Sequence, residues 1–200
     1  MAHVRSPNIE EAQRRIASWS DELEFLDISN LNLTELPHNL PANLQYLRCD
    51  FNNITTLPNN LPANLKELYC SDTRITSLPD TLPESLEILS CNSTMLTFLP
   101  ETLPANLKGL YCNCTQLESL PDKLPKHFIN PVWSYGLWCY NTRLPDKRQN
   151  ESMLDYYTRI KRKERERAVL RVKAFKEDLM AKTWHTSRVI DWCGENFEWQ

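Results

Sequence analysis

The pattern Leu-x-x-Leu-x-Cys-x-x-x-x-Leu-x-x-Leu-Pro-x-x-Leu-Pro recurs every 21 residues, in register and without insertion, through residues 23–127. Its first apolar site is Leu23, Leu44, Leu65, Leu86 and Leu107, and Phe128 opens a sixth unit that decays. A coil this short cannot bury its own leucines, so it must stack on copies of itself to make a continuous core. That requirement excludes most globular architectures and predicts a solenoid. The second site (Leu26, Leu47, Leu68, Leu89, Leu110) and the third (Ile28, Cys49, Cys70, Cys91, Cys112) fit a short strand with one inward side, pairing in parallel with its neighbours. After the fourth site (Leu33, Ile54, Ile75, Leu96, Leu117) come two Leu-Pro pairs, from Leu36-Pro37 and Leu40-Pro41 to Leu120-Pro121 and Leu124-Pro125. Ten of the 13 prolines sit in this register. Because Pro fixes φ and lacks an N–H, this limb is predicted to be extended and polyproline-like rather than helical.

Composition narrows the chemistry. Hydrophobic residues make up 41% and charged residues 24%, the balance of a soluble globular chain. Only 3 Gly are present, too few to suggest a phosphate-binding loop, a dinucleotide turn or a nucleophile elbow. No apolar stretch follows Met1, which implies a cytosol-like compartment, and the seven Cys are then expected to be reduced. The longest charge-free run, residues 127–142, is too short for a membrane span and is broken by Pro131 and Gly136.

The spacing and the Leu-Pro-x-x-Leu-Pro limb resemble leucine-rich repeats of the short type found in secreted effectors of bacterial pathogens and in repeat proteins of giant DNA viruses. The resemblance implies an α/β solenoid whose parallel strands line a concave face used for binding other proteins. One position departs from that family. Two residues before the fourth site, where Asn is usual, the chain reads Leu31, Asn52, Thr73, Thr94 and Thr115, so Thr hydroxyls must take over part of the work of an Asn ladder.

Solenoid ends expose core and need covers. Residues 1–22 are expected to form an N-terminal helical cap, with Ser6 as N-cap, Pro7 in the first turn, and Ile9, Ala12, Ile16 and Trp19 on one face. Residues 128–150, rich in aromatics, are read as a C-terminal cap and linker. Residues 151–200 are read as a basic helical extension, helical to about Thr183, with Leu154, Tyr157, Ala168, Val172, Phe175 and Leu179 on one face. Within it, Trp184-His185-Thr186-Ser187-Arg188 is similar to a Trp-His-Pro-x-Arg tail of giant-virus repeat proteins, with Thr186 in place of Pro, and leaves a virion location open.

Catalytic, metal and cofactor sites are not expected. The four Cys at the third site would stack about 5 Å apart, but free Cys is a small buried hydrophobe and their place is apolar Ile28 in the first unit. Cys70-Ser71-Asp72 spells the Cys-x-Asp of the ubiquitin ligases that some related effectors carry. Its inward position is wrong for a thiolate nucleophile, and the chain after the repeats is too short for that domain. His127 and His185 with the remaining Cys show no zinc-ligand spacing.

Two surfaces remain. The outward strand positions read Phe25, Tyr46, Glu67, Ile88 and Gly109, then Asp27, Arg48, Tyr69, Ser90 and Tyr111, with Asn113 in a third row. Aromatic residues there are not required for packing, so Phe25, Tyr46, Arg48, Glu67, Tyr69, Ile88, Tyr111 and Asn113 are the candidate partner-binding residues. The second surface spans residues 159–176, where Arg159, Lys161, Arg162, Lys163, Arg165, Arg167, Arg171, Lys173 and Lys176 meet two acids, a local charge of +7 in a chain of net −3. Such asymmetry suits nucleic acid contacted through phosphates, an anionic membrane surface or an acidic protein. The sequence therefore reads as a non-enzymatic protein-interaction module, with a structural or packaging role through the basic helix as the alternative.

Overall fold

Each coil sets one leucine, flanked by two outward residues, at the centre of a three-residue strand. In the computed structural model, which describes residues 8–20, 22–125, 128, 136–145 and 151–183, the strands are β1 (Phe25–Asp27), β2 (Tyr46–Arg48), β3 (Glu67–Tyr69), β4 (Ile88–Ser90), β5 (Gly109–Tyr111) and β6 (Gly136–Trp138). They form one parallel sheet in chain order. Leu26, Leu47, Leu68, Leu89, Leu110 and Leu137 face one another across it and are all buried. Helix α1 (Ile9–Ala17) precedes the sheet and α2 (Met153–Thr183) follows it. Met1–Ile160 is one compact unit and Lys161–Gln200 a second.

The sixth strand lies inside residues 128–150, the segment expected to be an aromatic cap and linker. Tyr111 pairs with Trp138, 27 residues on, where every earlier pair is 21 apart. Phe128 N–H still donates to Pro125 O as Leu107 does to Pro104 O, so the register holds to Phe128 and the extra residues fall within 129–135. Beyond them Leu137-x-Cys139-x-x-Thr142-x-Leu144 repeats Leu110-x-Cys112-x-x-Thr115-x-Leu117. The return limbs between β1 and β5 contain no helix. A turn closes each one, the N–H of Leu44, Leu65, Leu86 and Leu107 donating to the carbonyl of the Pro three residues before at 3.0–3.2 Å.

Leaving the strand demands a left-handed residue in every coil: Asn30, Phe51, Asp72, Ser93, Cys114 and Asn141 all have φ of 53–55°. Asn and Asp accept that conformation readily; Phe, Ser and Cys are there because the coil imposes it. The turn carbonyls are then satisfied from within. Asn52 Oδ1 accepts from the N–H of Leu31 and Leu33, and its Nδ2 donates to the carbonyls of Ile28, Cys49 and Asp50. Thr73, Thr94 and Thr115 each donate one hydroxyl bond, to Cys70 O, Cys91 O and Cys112 O at 2.8–2.9 Å, and Thr142 continues the column on Cys139 O. Thr hydroxyls thus replace one of the contacts an Asn makes.

The ends are closed by helices. Helix α1 begins at Asn8, whose side chain accepts from Glu11 N–H, and not at Ser6, which with Pro7 lies outside the described residues. It buries Ala12 and Ile16, with Ile9 and Trp19 partly covered, and Arg15 donates to Asp27 O at 2.7 Å. Leu23, expected as the first inward leucine, is 47% exposed, because no earlier coil lies beneath it. At the other end Ser152 caps α2 by accepting from Asp155 N–H, and Tyr156 and Ile160 are the residues that bury themselves. Leu154, expected on the packed face, is exposed, and Tyr157 is half-buried with its hydroxyl donating to Pro121 O and Asp122 O.

The Cys column is core. Cys49, Cys70, Cys91 and Cys112 are fully buried, and the thiols of Cys49 and Cys70 donate to the next strand's Tyr69 O and Ser90 O at 3.3 Å. Burial pushes the Cys91 thiol up to about 12, and Cys49, Cys70 and Cys112 upward as well. Cys70 therefore has the opposite of a nucleophile's environment.

Four stability outcomes follow from these contacts, all readable by urea denaturation. Asn52→Ala should cost about 3 kcal/mol and Thr94→Val about 1 kcal/mol, since the first orphans several buried backbone groups and the second one. Phe51→Asn should stabilise by about 1 kcal/mol, because Asn relieves the left-handed strain. The unfolded chain releases its thiol protons near the ordinary value of about 8.5 whereas the folded chain keeps them. Stability is thus full below that pH and falls above it. Cys70→Ala should flatten the loss between pH 9 and 10.5 by up to about 1.4 kcal/mol per pH unit.

Candidate protein-binding face

With the central leucine of each strand turned inward, the first and third residues turn outward and line up across the sheet. At the first position Phe25 is exposed, Tyr46, Glu67 and Ile88 are half-buried, and Gly109 and Gly136 carry no side chain. At the third, Arg48 is exposed, Asp27, Tyr69 and Tyr111 are half-buried, Ser90 is buried, and Trp138 is 37% exposed. The two glycines share their strands with Tyr111 and Trp138. A Cβ on Gly109 would stand 3.1 Å from Tyr111 Cε2, so glycine there leaves space for the ring to lean back across the strand. Tyr111 stacks on Trp138 with centroids 6.4 Å apart and planes 14° from parallel, and Trp138 meets Tyr140 edge-on at 5.7 Å. The result is a connected aromatic cluster at the β5–β6 end of the sheet.

Polar groups next to it are fixed by local bonds. Tyr69 Oη donates to Glu67 Oε2 at 2.5 Å, and burial first, then that bond and the carboxylate's charge, push the phenol well above the ordinary tyrosine value. Arg48 pairs with buried Asp50 at 3.4 Å. For Asp27, burial opposes ionisation, but two bonds from Ser29 and the guanidinium groups of Arg48 and Arg15 outweigh it and hold its carboxyl below the usual range.

Of the residues predicted for this face, Phe25, Tyr46, Arg48, Glu67, Tyr69, Ile88 and Tyr111 all lie on the outward side of β1 to β5. Asn113 does something else: it accepts from Tyr140 N–H at 2.8 Å, and its own N–H and Nδ2 donate to Asn92 Oδ1. Its amide carries the ladder from one coil to the next. Trp138 and Tyr140 escaped the sequence reading because the insertion shifts them out of the 21-residue count. The recurrence of Leu-x-Cys-x-x-Thr-x-Leu at residues 137–144 is the signal that locates them.

The basic surface is smaller than the sequence suggests. Arg159 is buried, holds Glu151 through Nε and Nη2 at 2.7 Å each, and lies 5.4 Å from the Tyr156 ring centroid. It belongs to the cap, not to a binding patch. Within the second unit, Lys161 pairs with Glu164 at 2.9 Å and Arg162 with Glu166 at 3.6 Å. Arg165, Arg167, Arg171 and Lys173 are exposed and Lys163 half-buried. Val172 and Phe175, expected on an apolar packing face, are exposed, Phe175 by 67%; the side chain of Leu179 lies outside the description. No helix among the described residues is long and apolar enough to cross a membrane.

A Shigella effector leucine-rich-repeat domain superposes on this chain with a TM-score of 0.55 and 35% identity, over 59% of this chain and 52% of that one. YopM from Yersinia enterocolitica WA-314 superposes with a TM-score of 0.60 and 31% identity, over 70% of this chain and 30% of that one. This chain is a leucine-rich-repeat protein. The likeness spans about half the length of the Shigella domain and under a third of YopM. No family model matches the chain, and neither does any curated protein. Both of these neighbours are bacterial, whereas the tail that resembles viral proteins, residues 184–188, lies outside the described residues.

The Tyr69–Glu67 pair gives a direct check on this geometry. In tyrosine carbon NMR, the Tyr69 ring should titrate above the ordinary value of about 10, and Glu67→Gln should bring it down by removing the neighbouring charge. An unchanged Tyr69 titration in that variant would contradict the bond.

Proposed function

We propose that this leucine-rich-repeat protein is a non-enzymatic interaction module that holds a protein partner on the outward face of its sheet. The observation that carries the reading is the connected cluster Tyr111–Trp138–Tyr140, with Tyr69 two strands away on the same row. Aromatic residues are large, rigid, and costly to leave in water, and they dominate the anchor positions of protein interfaces. The inward residues are wholly occupied in holding coil to coil, so they impose nothing on the outward ones. Similarity to effector repeats supports an interaction role of this general kind.

A second reading rests on Arg165, Arg167, Arg171 and Lys173, which are exposed and make no ion pair among the described residues. They favour an acidic protein or the phosphates of nucleic acid, as a packaging component would use, with binding that weakens as salt rises.

Affinity capture from lysate of the source cells, with and without nuclease, separates the two. The comparison is between wild type, Tyr111→Ala with Trp138→Ala, and a charge variant with Gln at 165, 167, 171 and 173. Truncation for this purpose should fall after Ile160, because Tyr156, Arg159 and Ile160 complete the cap. A discrete partner lost only from the aromatic double variant supports the face. Recovery that depends on the four cations and disappears with nuclease supports the second reading.

A further inference from the structure

The outward face is a narrow strip. Each strand offers two outward positions about 7 Å apart, and six strands at about 4.8 Å spacing make a row roughly 24 Å long. That is on the order of 200 Å², against the roughly 800 Å² that each partner contributes to a stable globular interface. One extended segment of about seven residues, at about 3.3 Å per residue, would run its whole length.

The strip also carries a small excess of acid. Of the twelve outward strand residues, Asp27 and Glu67 are acidic and Arg48 is the one cation, already paired with Asp50. An acidic segment or nucleic acid would meet like charge here, and a purely apolar one would strip water from Asp27 and Glu67 without replacing it. Arginine satisfies both parts of the strip at once, because its planar guanidinium stacks on aromatic rings and bonds carboxylates in a fork.

Building on the reading that this face holds the partner, we infer that it takes an extended, arginine-bearing peptide segment laid across the strands, with a guanidinium on the Tyr111–Trp138–Tyr140 rings and Glu67 answering a second cation. Gly109 sets the position of the platform, since Tyr111 leans into the space that a side chain there would fill.

Selection from a displayed library of random heptapeptides on the full-length chain tests this. Retained peptides should be enriched in Arg over Lys and depleted in Asp and Glu. A synthetic copy of one such peptide should bind Trp138→Leu and Glu67→Gln each about tenfold more weakly. Gly109→Ala, which needs only the end of the Tyr111 side chain to move, should weaken binding while leaving the thermal midpoint near that of wild type. Retained peptides that are acidic or uncharged, yet still lost on Trp138→Leu, would overturn the arginine assignment and leave the face as the binding surface. Peptides held equally by wild type and by Trp138→Leu with Tyr111→Leu would overturn both. Selection of nothing above background would overturn the peptide inference alone, the face itself then being judged by the capture comparison.

Discussion

No coil of this chain has an interior of its own. Leu47, Cys49 and Ile54 are buried only because coils lie above and below them, and the same holds for every unit in turn. Stacking therefore governs the rest of the structure. It forces parallel pairing, since each coil must present the same edge to the next, and it forces a left-handed residue at the same point of every turn, even where that residue is Phe51 or Cys114. It also makes the ends as important as the middle. Ala12 and Ile16 on α1, and Tyr156 and Ile160 on α2, are in effect the missing neighbours of the first and last coils.

What was legible in the sequence follows from the same constraint. A position that must be apolar five times over shows itself without any alignment, so Leu44, Leu65 and their equivalents could be placed inward from spacing alone. Leu23 has the right spelling and the wrong surroundings, because burial is a property of the neighbouring coil and not of the residue. The left-handed turns were hidden for a related reason: their backbone is dictated by the path of the coil, and only Asn30, Asp72 and Asn141 carry a side chain that hints at it. Arg159 looked like one more cation in a basic run. Its partner Glu151 is eight residues back, before the helix begins, a distance at which no helical pairing rule applies.

The candidate site shows the limit most clearly. Its outward residues on β1 to β5 were readable, because alternation along a strand assigns them once the inward leucine is known. Trp138 and Tyr140 were not, since the insertion before β6 breaks the count that identifies every earlier strand. The repeat nonetheless resumes after it, down to the Thr142 hydroxyl on Cys139 O, so the coil tolerated extra chain without losing its pairing. Closing a longer connection costs little extra entropy, and the strand that follows the insertion is also the one that supplies the largest outward ring.

The residues that keep the repeat regular and those of the candidate face are thus different residues of the same coil. Inward positions are bound to their neighbours on both sides and can hardly vary; outward ones carry no such constraint and can. The chain also separates its charge, with +7 over residues 159–176 and −10 over the remainder. The two candidate surfaces consequently differ in physics as well as in place. Contacts of exposed cations decay over a Debye length of about 8 Å at physiological ionic strength, whereas aromatic contacts on the sheet depend on excluded water and persist as salt rises. A partner held by the helix cations therefore loses affinity more steeply with ionic strength than one held on the sheet, where the ring contacts persist and only the pair to Glu67 is screened, so the steepness of the salt dependence separates the two surfaces.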